Sequence, residues 1–425
     1  MILFIGLCFT VLLFAGVPIA VILGVTTLLS LVFFSTTPLT IITQQLFNAL
    51  DQFVLLAIPF FILAGAVMTR GGIARRLIDF VNALVGWFPG GLAMAGILGC
   101  IFFAAISGSS PATVVAIGAI MIPALIKAGY GEKFSLGLIT VSGSLGIVIP
   151  PSIPMILYCL VMNVSVAEIF MAGVMPGLLI GFSMMVYTFF VARKHNWRID
   201  RNASVARLIE TGKNGIWALM LPFIVLGGIY SGVFTPTEAA AVSVVYALFV
   251  EMVIYKEFGI RDLTDVCREA AILSACLLFI LSCAMTFIWL LTAEQIPHHL
   301  ADIIIRYIDT PWMFLLTVNL LFLVLGCFMD DVSAMLVLAP LFLETLNRYG
   351  IDLVHFGIVM VLNIQMGMLT PPFGLNLFVA SGITKAPVVT IARGVAPFLV
   401  IMLACLMLVT YIPWISLALP HWLLK

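Results

Sequence analysis

The sequence predicts an all-α integral membrane protein made of two inverted repeats, each with a re-entrant helical hairpin and a helix broken at a Pro-Pro pair. Three observations carry this. The 425 residues are 63% hydrophobic and 9% charged, with a mean hydropathy of +1.25, whereas soluble domains carry roughly 25% charge. The apolar runs are interrupted by small-residue and proline breaks that recur in the same order in both halves. The 19 Lys+Arg balance the 19 Asp+Glu in number but not in position.

A transmembrane helix needs about 20 residues, so the chain has room for roughly a dozen crossings. The first run, Ile2 to Phe34, lacks a basic n-region and a small-residue cleavage site and reads as a retained helix. Runs follow at about 46–69, 91–128 (broken at Ser107 to Pro111), 134–162 (broken at Pro150-Pro151) and 166–192. After a polar stretch from Arg193 to Lys213 come about 214–231, 237–255, 271–293, 311–347 (broken near Asp330), 353–384 (broken at Pro371-Pro372) and 388–419. Segments 70–88, 257–270 and 296–309 mix charge with apolar residues and read as amphipathic interfacial helices. For 257–270 an ordinary loop is an equal alternative.

In the first half Ser107-Gly108-Ser109-Ser110 leads through Pro123 and a polar turn at 127–133 to Gly146-Ile147-Val148-Ile149-Pro150-Pro151. In the second, Gly326 to Asp331 leads through Pro340 and a polar turn at 347–352 to Gly367-Met368-Leu369-Thr370-Pro371-Pro372. Paired interrupted segments at matching places are the signature of an inverted-repeat secondary transporter, with its site at the breaks. Two apolar stretches of about 16 to 18 residues joined by a polar tip are short for two spans and suit a re-entrant hairpin. Proline removes N–H donors and pushes its predecessor out of the α region, so both Pro-Pro segments unwind and free carbonyl oxygens. Such carbonyls facing a hairpin tip suit Na⁺ as a coupling ion.

Taking the most basic connection as cytoplasmic and alternating sides places 70–79, 127–133, 193–213, 256–268 and 385–393 inside, with 16 of the 19 Lys+Arg. Arg306, Arg348 and Lys425 fall outside, and the N-terminus falls in the cytoplasm. Hairpin one then opens from the cytoplasm and hairpin two from the opposite face.

Other chemistries are excluded or disfavoured. The eight cysteines lie singly in apolar stretches and read as small hydrophobes. Adjacent His298 and His299 point about 100° apart on a helix and chelate poorly. Gly129 to Lys133 lacks the spacing of a phosphate loop, no basic excess suits nucleic acid, and no Ser/His or H-E-x-x-H arrangement suggests an enzyme.

Ser-Gly-Ser-Ser-Pro-Ala-Thr at 107–113, Gly-Ile-Val-Ile-Pro-Pro-Ser at 146–152, Phe-Thr-Pro-Thr-Glu-Ala-Ala at 234–240, Asp330-Asp331 and Gly-Met-Leu-Thr-Pro-Pro-Phe-Gly at 367–374 together resemble the large membrane subunit of tripartite ATP-independent periplasmic (TRAP) transporters. The resemblance spans essentially the whole chain. It implies a Na⁺-driven elevator in the bacterial inner membrane, in which hairpins and broken helices slide against a scaffold. It also implies a small four-helix membrane subunit, expected as a separate chain, and a periplasmic binding protein that delivers a small organic acid. Among branches the chain looks most like the sialic-acid one, with C4-dicarboxylates kept open. On this pattern 1–69 and 386–425 are scaffold, 70–163 and 294–385 are the transport halves, and 164–293 is scaffold with a cytoplasmic linker at 193–213. A stand-alone symporter or an ion channel using the paired breaks is the alternative.

Expected Na⁺ ligands are Ser107, Gly108, Ser110, Gly143, Gly146, Gly326, Asp330, Gly367 and Thr370, with Ser144 beside them. Expected substrate contacts are Ser109, Asp331, Pro150, Asn363 and Pro371. The serines can equally satisfy the local backbone of a turn. Intramembrane carboxylates are costly and point to function, although Asp330 or Asp331 can also cap the helix that follows. Asn363 and Gln365 suit interhelical hydrogen bonds better than substrate. Thr235-Pro236-Thr237-Glu238 is a capping box, and Ser165 to Glu168 repeats the device.

Overall fold

A computed structural model describes residues 1–197, 204–372 and 374–423. Residues 198–203 of the expected linker, Phe373 of the second Pro-Pro motif, and Lys425 lie outside the described residues. The chain is all-helical: α1 (Ile2–Phe14), α2 (Ile19–Phe34), α3 (Thr40–Leu50), α4 (Ala57–Arg70), α5 (Ile73–Val85), α6 (Gly91–Ser107), α7 (Ser110–Lys127), α8 (Glu132–Ser144), α9 (Ile153–Met162), α10 (Val166–His195), α11 (Val205–Tyr230), α12 (Pro236–Phe249), α13 (Ile260–Ala293), α14 (Ile296–Tyr307), α15 (Pro311–Leu325), α16 (Asp331–Tyr349), α17 (Leu353–Gly367), α18 (Leu375–Thr384), α19 (Val388–Tyr411) and α20 (Trp414–Leu423). A π-helical segment, Val250–Tyr255, extends α12.

Three sequence expectations change. The run 2–34 is two antiparallel helices, with Phe4 of α1 against Phe33 and Phe34 at the far end of α2. Gly16, at φ +73°, makes the turn, and Pro18 cannot extend α1 through it. Met1 and Phe34 therefore share one end. The charged stretch 257–270 is neither a separate interfacial helix nor a loop: from Ile260 it is the start of the 34-residue α13. No Gly or Pro interrupts that helix. Among the described residues only seven helices, eight counting the bent pair α14–α15, are long and apolar enough to cross a bilayer. The dozen crossings overcount because the halves of the broken helices are only 10–15 residues long and reach partway, and the hairpin arms, at 15–19 residues, pair at a tip instead of each adding a span.

The repeat architecture is as the sequence predicts. α6 and α7 form the first hairpin, and α15 and α16 the second, whose arms meet through Phe322 and Phe342. α8 and α9 are the halves of one broken helix, α17 and α18 of the other. Each hairpin packs on the other repeat's broken helix: α7 lies along α18, and α16 along α9. The Tyr158 hydroxyl, on the far half of the first broken helix, donates to Leu353 O beside the open end of hairpin two. Glu132, beside the open end of hairpin one, begins the near half of that same broken helix. The two hairpins thus open at opposite ends, as inversion requires.

Around this body, α13 packs on α2, α3 and α4, α4 on α12, and α11 on α5 and α12. Thr235 and Glu238 close the expected capping box at α12: the Thr235 Oγ1 accepts from Glu238 N at 3.2 Å, and the Glu238 carboxylate accepts from Thr235 N at 2.8 Å. At α10 only half of the device is present, with Glu238's counterpart Glu168 giving its N–H to the Ser165 Oγ at 3.4 Å.

Small residues set the closest crossing. A Cβ on Gly137 of α8 would stand 2.0 Å from Gly394 O of α19, so neither backbone can yield to it. Gly137→Ala is expected to lower the thermal midpoint of the detergent-purified protein by several degrees, from a packing cost of about 1–3 kcal/mol or more. Gly382→Ala, which meets nothing within 4 Å, should leave it unchanged in the same scanning fluorimetry experiment.

Candidate functional site

A cavity of about 660 Å³ lies where both hairpin tips converge, in the size range of small-molecule sites. Ser107, Gly108 and Ser109 come from the first tip, Asp330, Asp331 and Val332 from the second. Ile147, Ile153 and Leu375 come from the broken helices, and the remaining wall is α4 and α13. The cavity extends to Arg70 and Glu269, on the face that the charge bias assigns to the cytoplasm.

The first tip is shaped by its glycine. α6 ends at Gly108 with φ +61°, where a Cβ would stand 2.8 Å from Pro151 O. Only glycine combines that left-handed turn with that close approach. Gly108 O accepts from Ile153 N at 3.3 Å, so the unwound segment and the tip satisfy each other's backbone. The Ser107 and Thr113 hydroxyls lie 3.0 Å apart, and Thr113 donates to Ser109 O at 2.9 Å. A Cβ on Gly146 would be 2.6 Å from Ser109 O and 2.7 Å from Thr113 Oγ1. Hydroxyl and carbonyl oxygens are thus packed around a glycine backbone. Gly143 performs a different task, passing the backbone of Val114 on α7 with a 3.0 Å clearance for its missing Cβ. The Ser152 hydroxyl bridges the break, donating to Ile147 O at 2.7 Å and accepting from Met155 N.

At the second tip Asp330 is the N-cap of α16, its carboxylate accepting from Ser333 N at 3.0 Å. Asp331 accepts from Val332 N and, like Asp330, is half-buried at the cavity. Gly326 and Gly367 meet backbone to backbone: a Cβ on Gly367 would stand 2.3 Å from Gly326 C. Thr370 donates its hydroxyl to Met366 O at 2.9 Å.

Of the expected substrate contacts, Ser109 and Asp331 line the cavity, whereas Pro150, Asn363 and Pro371 do not. Pro150 is buried in the first break and Pro371 exposed in the second. Asn363 is an interhelical bridge, donating to Asn319 Oδ1 on α15 at 2.6 Å. Of the expected ion ligands, Ser107, Gly108 and Asp330 reach the cavity, while Ser110, Gly143, Gly146, Gly326, Gly367 and Thr370 lie behind it. Besides Tyr158, two buried amide side chains tie the repeats together. Gln365 donates to Ser144 Oγ and Asn376 to Ser110 Oγ, both at 2.6 Å, and their amide oxygens are buried without a partner among the described residues. Thr113, Asn376 and Arg70 are absent from the expected set. Thr113 follows Ser109 by one helical turn, a usable signal; Asn376 is visible only once the repeats are docked. Arg70 is indistinguishable in sequence from any basic residue flanking a span.

Arg70 is the one cation among the residues lining the cavity, and it is held by Asp265 at 3.1 Å, Asp262 at 3.4 Å and Glu269 at 3.8 Å. Among the described residues no group of three or more His, Cys, Asp and Glu converges to hold a metal ion. The tips offer hydroxyl, carbonyl and carboxylate oxygens, a donor set that fits a hard monovalent cation and not a soft metal.

The family described as "Tripartite ATP-independent periplasmic transporter, DctM component" matches residues 7–415. The chain is 46% identical over 401 residues, 94% of each protein, to a Pseudomonas aeruginosa protein named C4-dicarboxylate TRAP transporter large permease DctM. It is 37% identical, over 96% of each protein, to a Vibrio cholerae sialic acid TRAP transporter large permease SiaM. The fold resembles the crystal structure of the Alcanivorax borkumensis YdaH transporter, with a TM-score of 0.64 at 16% identity, covering 97% of this chain and 99% of that one.

The cap at the second tip separates structure from charge. Asp330→Ala removes the acceptor for Ser333 N and should cost about 1 kcal/mol, seen as a lower thermal midpoint. Asp330→Asn keeps an acceptor oxygen and should melt close to the parent; equal melting of both variants would show that the cap contributes nothing.

Proposed function

Because the chain belongs to the DctM family of tripartite ATP-independent periplasmic transporters, whose members are transport permeases of the membrane and not enzymes, we propose that it imports a small dicarboxylate by Na⁺ symport through an elevator movement. A periplasmic binding protein delivers the substrate, and a small membrane subunit completes the assembly in the bacterial inner membrane. The carrying observation is the single cavity bounded on one side by both hairpin tips and on the other by α4 and α13. Such a boundary lets the tips and broken helices move as one body past those two helices.

The substrate reading departs from the sialic-acid branch expected above. Identity of 46% to a relative named for C4-dicarboxylates, against 37% to one named for sialic acid, supports a C4-dicarboxylate. The cavity fits such an anion only with help. Ser107 and Ser109 offer hydroxyl donors, and α16 points its N-terminus at the cavity, but Asp330 and Asp331 repel a carboxylate. Na⁺ supplies the missing positive charge, held at the first tip by Ser107, the Ser109 carbonyl, Thr113 and Gly146, and at the second by Asp330, Gly326, Gly367 and Thr370. The substrate then binds well only after the cations, which is what symport requires.

Reconstituted in liposomes with both partners, the protein should accumulate labelled succinate only with an inward Na⁺ gradient and the cognate binding protein. Uptake that ignores removal of either would overturn the proposal, and unsaturable single-channel currents would identify a pore instead. Excess unlabelled N-acetylneuraminate should not compete; accumulation of that sugar in place of succinate would restore the sialic-acid reading. Ser107→Ala and Asp331→Asn should each lower initial uptake roughly tenfold or more at unchanged membrane levels, as expected when a polar group at mid-membrane loses its function.

A further inference from the structure

Away from the tips, a second cavity of about 440 Å³ lies between α5, the start of α11 and the π-helical end of α12. Its walls carry Arg75, Arg76, Lys213, Trp217 and Tyr255, with Asp79 and Glu257 as counter-charges. The spanning segment Pro236–Tyr255 ends here and the polar first half of the span Val205–Tyr230 passes beside it, which puts the cavity near headgroup level on the face that the charge bias assigns to the cytoplasm.

The counter-charges do not saturate the cations. Arg76 gives one nitrogen to Glu257 at 2.7 Å and lies 3.7 Å above the Tyr255 ring, but its Nη1 is buried with no acceptor among the described residues. Arg75, two-thirds exposed, reaches Glu257 only at 4.0 Å. Lys213 is exposed and makes no ion pair among the described residues. Asp79 faces Arg207, Arg75 and Arg76, yet burial outweighs their pull and holds its carboxyl above the usual carboxylate range. A general cytoplasmic excess of basic residues explains the charges but not a concave site with an orphaned guanidinium nitrogen.

We infer that this pocket binds the phosphate group of an acidic membrane phospholipid, with Arg75, Arg76 and Lys213 around the phosphate. Free phosphate shares the charge chemistry, but the half-exposed Trp217 and Ile254 give the pocket an apolar flank that only an amphiphile covers. The site also has a mechanical setting. α4 turns into α5 at Gly71-Gly72, and Glu251, wholly buried, accepts from Gly72 N at 2.9 Å and Ile73 N at 2.8 Å. A lipid bridging α5 and α11 one turn further on would fix this pivot at the membrane surface.

The test uses the purified full-length protein in neutral detergent, with phosphatidylglycerol, phosphatidylcholine and inorganic phosphate as probes. Native mass spectrometry should show retained phosphatidylglycerol, and scanning fluorimetry a raised thermal midpoint that phosphatidylcholine does not produce. The Arg75→Gln/Lys213→Gln double variant should bind phosphatidylglycerol roughly tenfold or more weakly, while Lys127→Gln/Lys133→Gln, at another basic turn, should not. Lys213→Gln alone, at an exposed side chain, should shift affinity in the same direction and guards against misfolding of the pair. Equal binding of the two lipids, or parent-like binding by both Lys213 variants, would overturn the inference. A full effect from inorganic phosphate alone would overturn the lipid and leave a free-phosphate site.

Discussion

The contact on which the structure depends is the one between Gly108 and the unwound Pro150-Pro151 segment. In hydrocarbon every backbone polar group needs a partner within the protein, so a helix can break at mid-membrane only if something covers the break. Hairpin one does this with its tip carbonyl, which accepts from Ile153 N, while within the break Ser152 donates to Ile147 O. A side chain at position 108 would hold the tip away and strand Gly108 O and Ile153 N. The polar tip and the proline pair therefore require each other, and neither is stable alone.

That mutual requirement explains why the two repeats interlock instead of standing side by side. Each hairpin leans on the other repeat's broken helix, and the amides that cross between repeats, Gln365 to Ser144 and Asn376 to Ser110, are wholly buried. Breaking one would leave further unpaired polar atoms in a low-dielectric interior, at about 1–3 kcal/mol each. The Gly326–Gly367 contact adds a backbone seam with no room to slide. Hairpins and broken helices are consequently tied to one another by buried polar and backbone contacts, while α4 and α13 meet them partly by direct packing on α6, α7 and α16 and partly across the cavity.

Fold class, repeat order and both breaks were legible in the sequence because proline and glycine act locally: Pro150-Pro151 and Ser107 to Ser110 announce a break whatever surrounds them. Helix ends set by competition were less legible. The stretch 257–270 carries charges that resemble an interfacial segment, yet the unbroken helix formers from Ile260 onward carried it into α13. Ile2 to Phe34 looked continuous because one glycine and one proline in a long apolar run are weak signals against hydropathy. Within the site, the tips were legible and the cross-repeat partners were not: Asn376 owes its place to docking with Ser110, a contact between positions far apart in sequence.

The electrostatics of the tips bear on how transport can be driven without ATP. Like charges about 4 Å apart repel by about 4 kcal/mol at an effective dielectric of 20, nearly a thousandfold in affinity. Asp330 and Asp331 stand at the cavity, and the lone lining cation, Arg70, is already engaged by three carboxylates on α13. Among the described residues, the cavity lining therefore supplies no unengaged side-chain cation to the proposed dicarboxylate at the tips. If the proposed function holds, an anion site lined in this way is weak when empty of cations and strong when they are bound, and that difference would be the coupling free energy. On the same proposal, replacing the carboxylates with lysine would make a tighter anion site, but one that binds with or without Na⁺ and so uncouples the proposed gradient from uptake. Under the proposed symport, carboxylates at the anion site are thus the feature that would force the ion to come first.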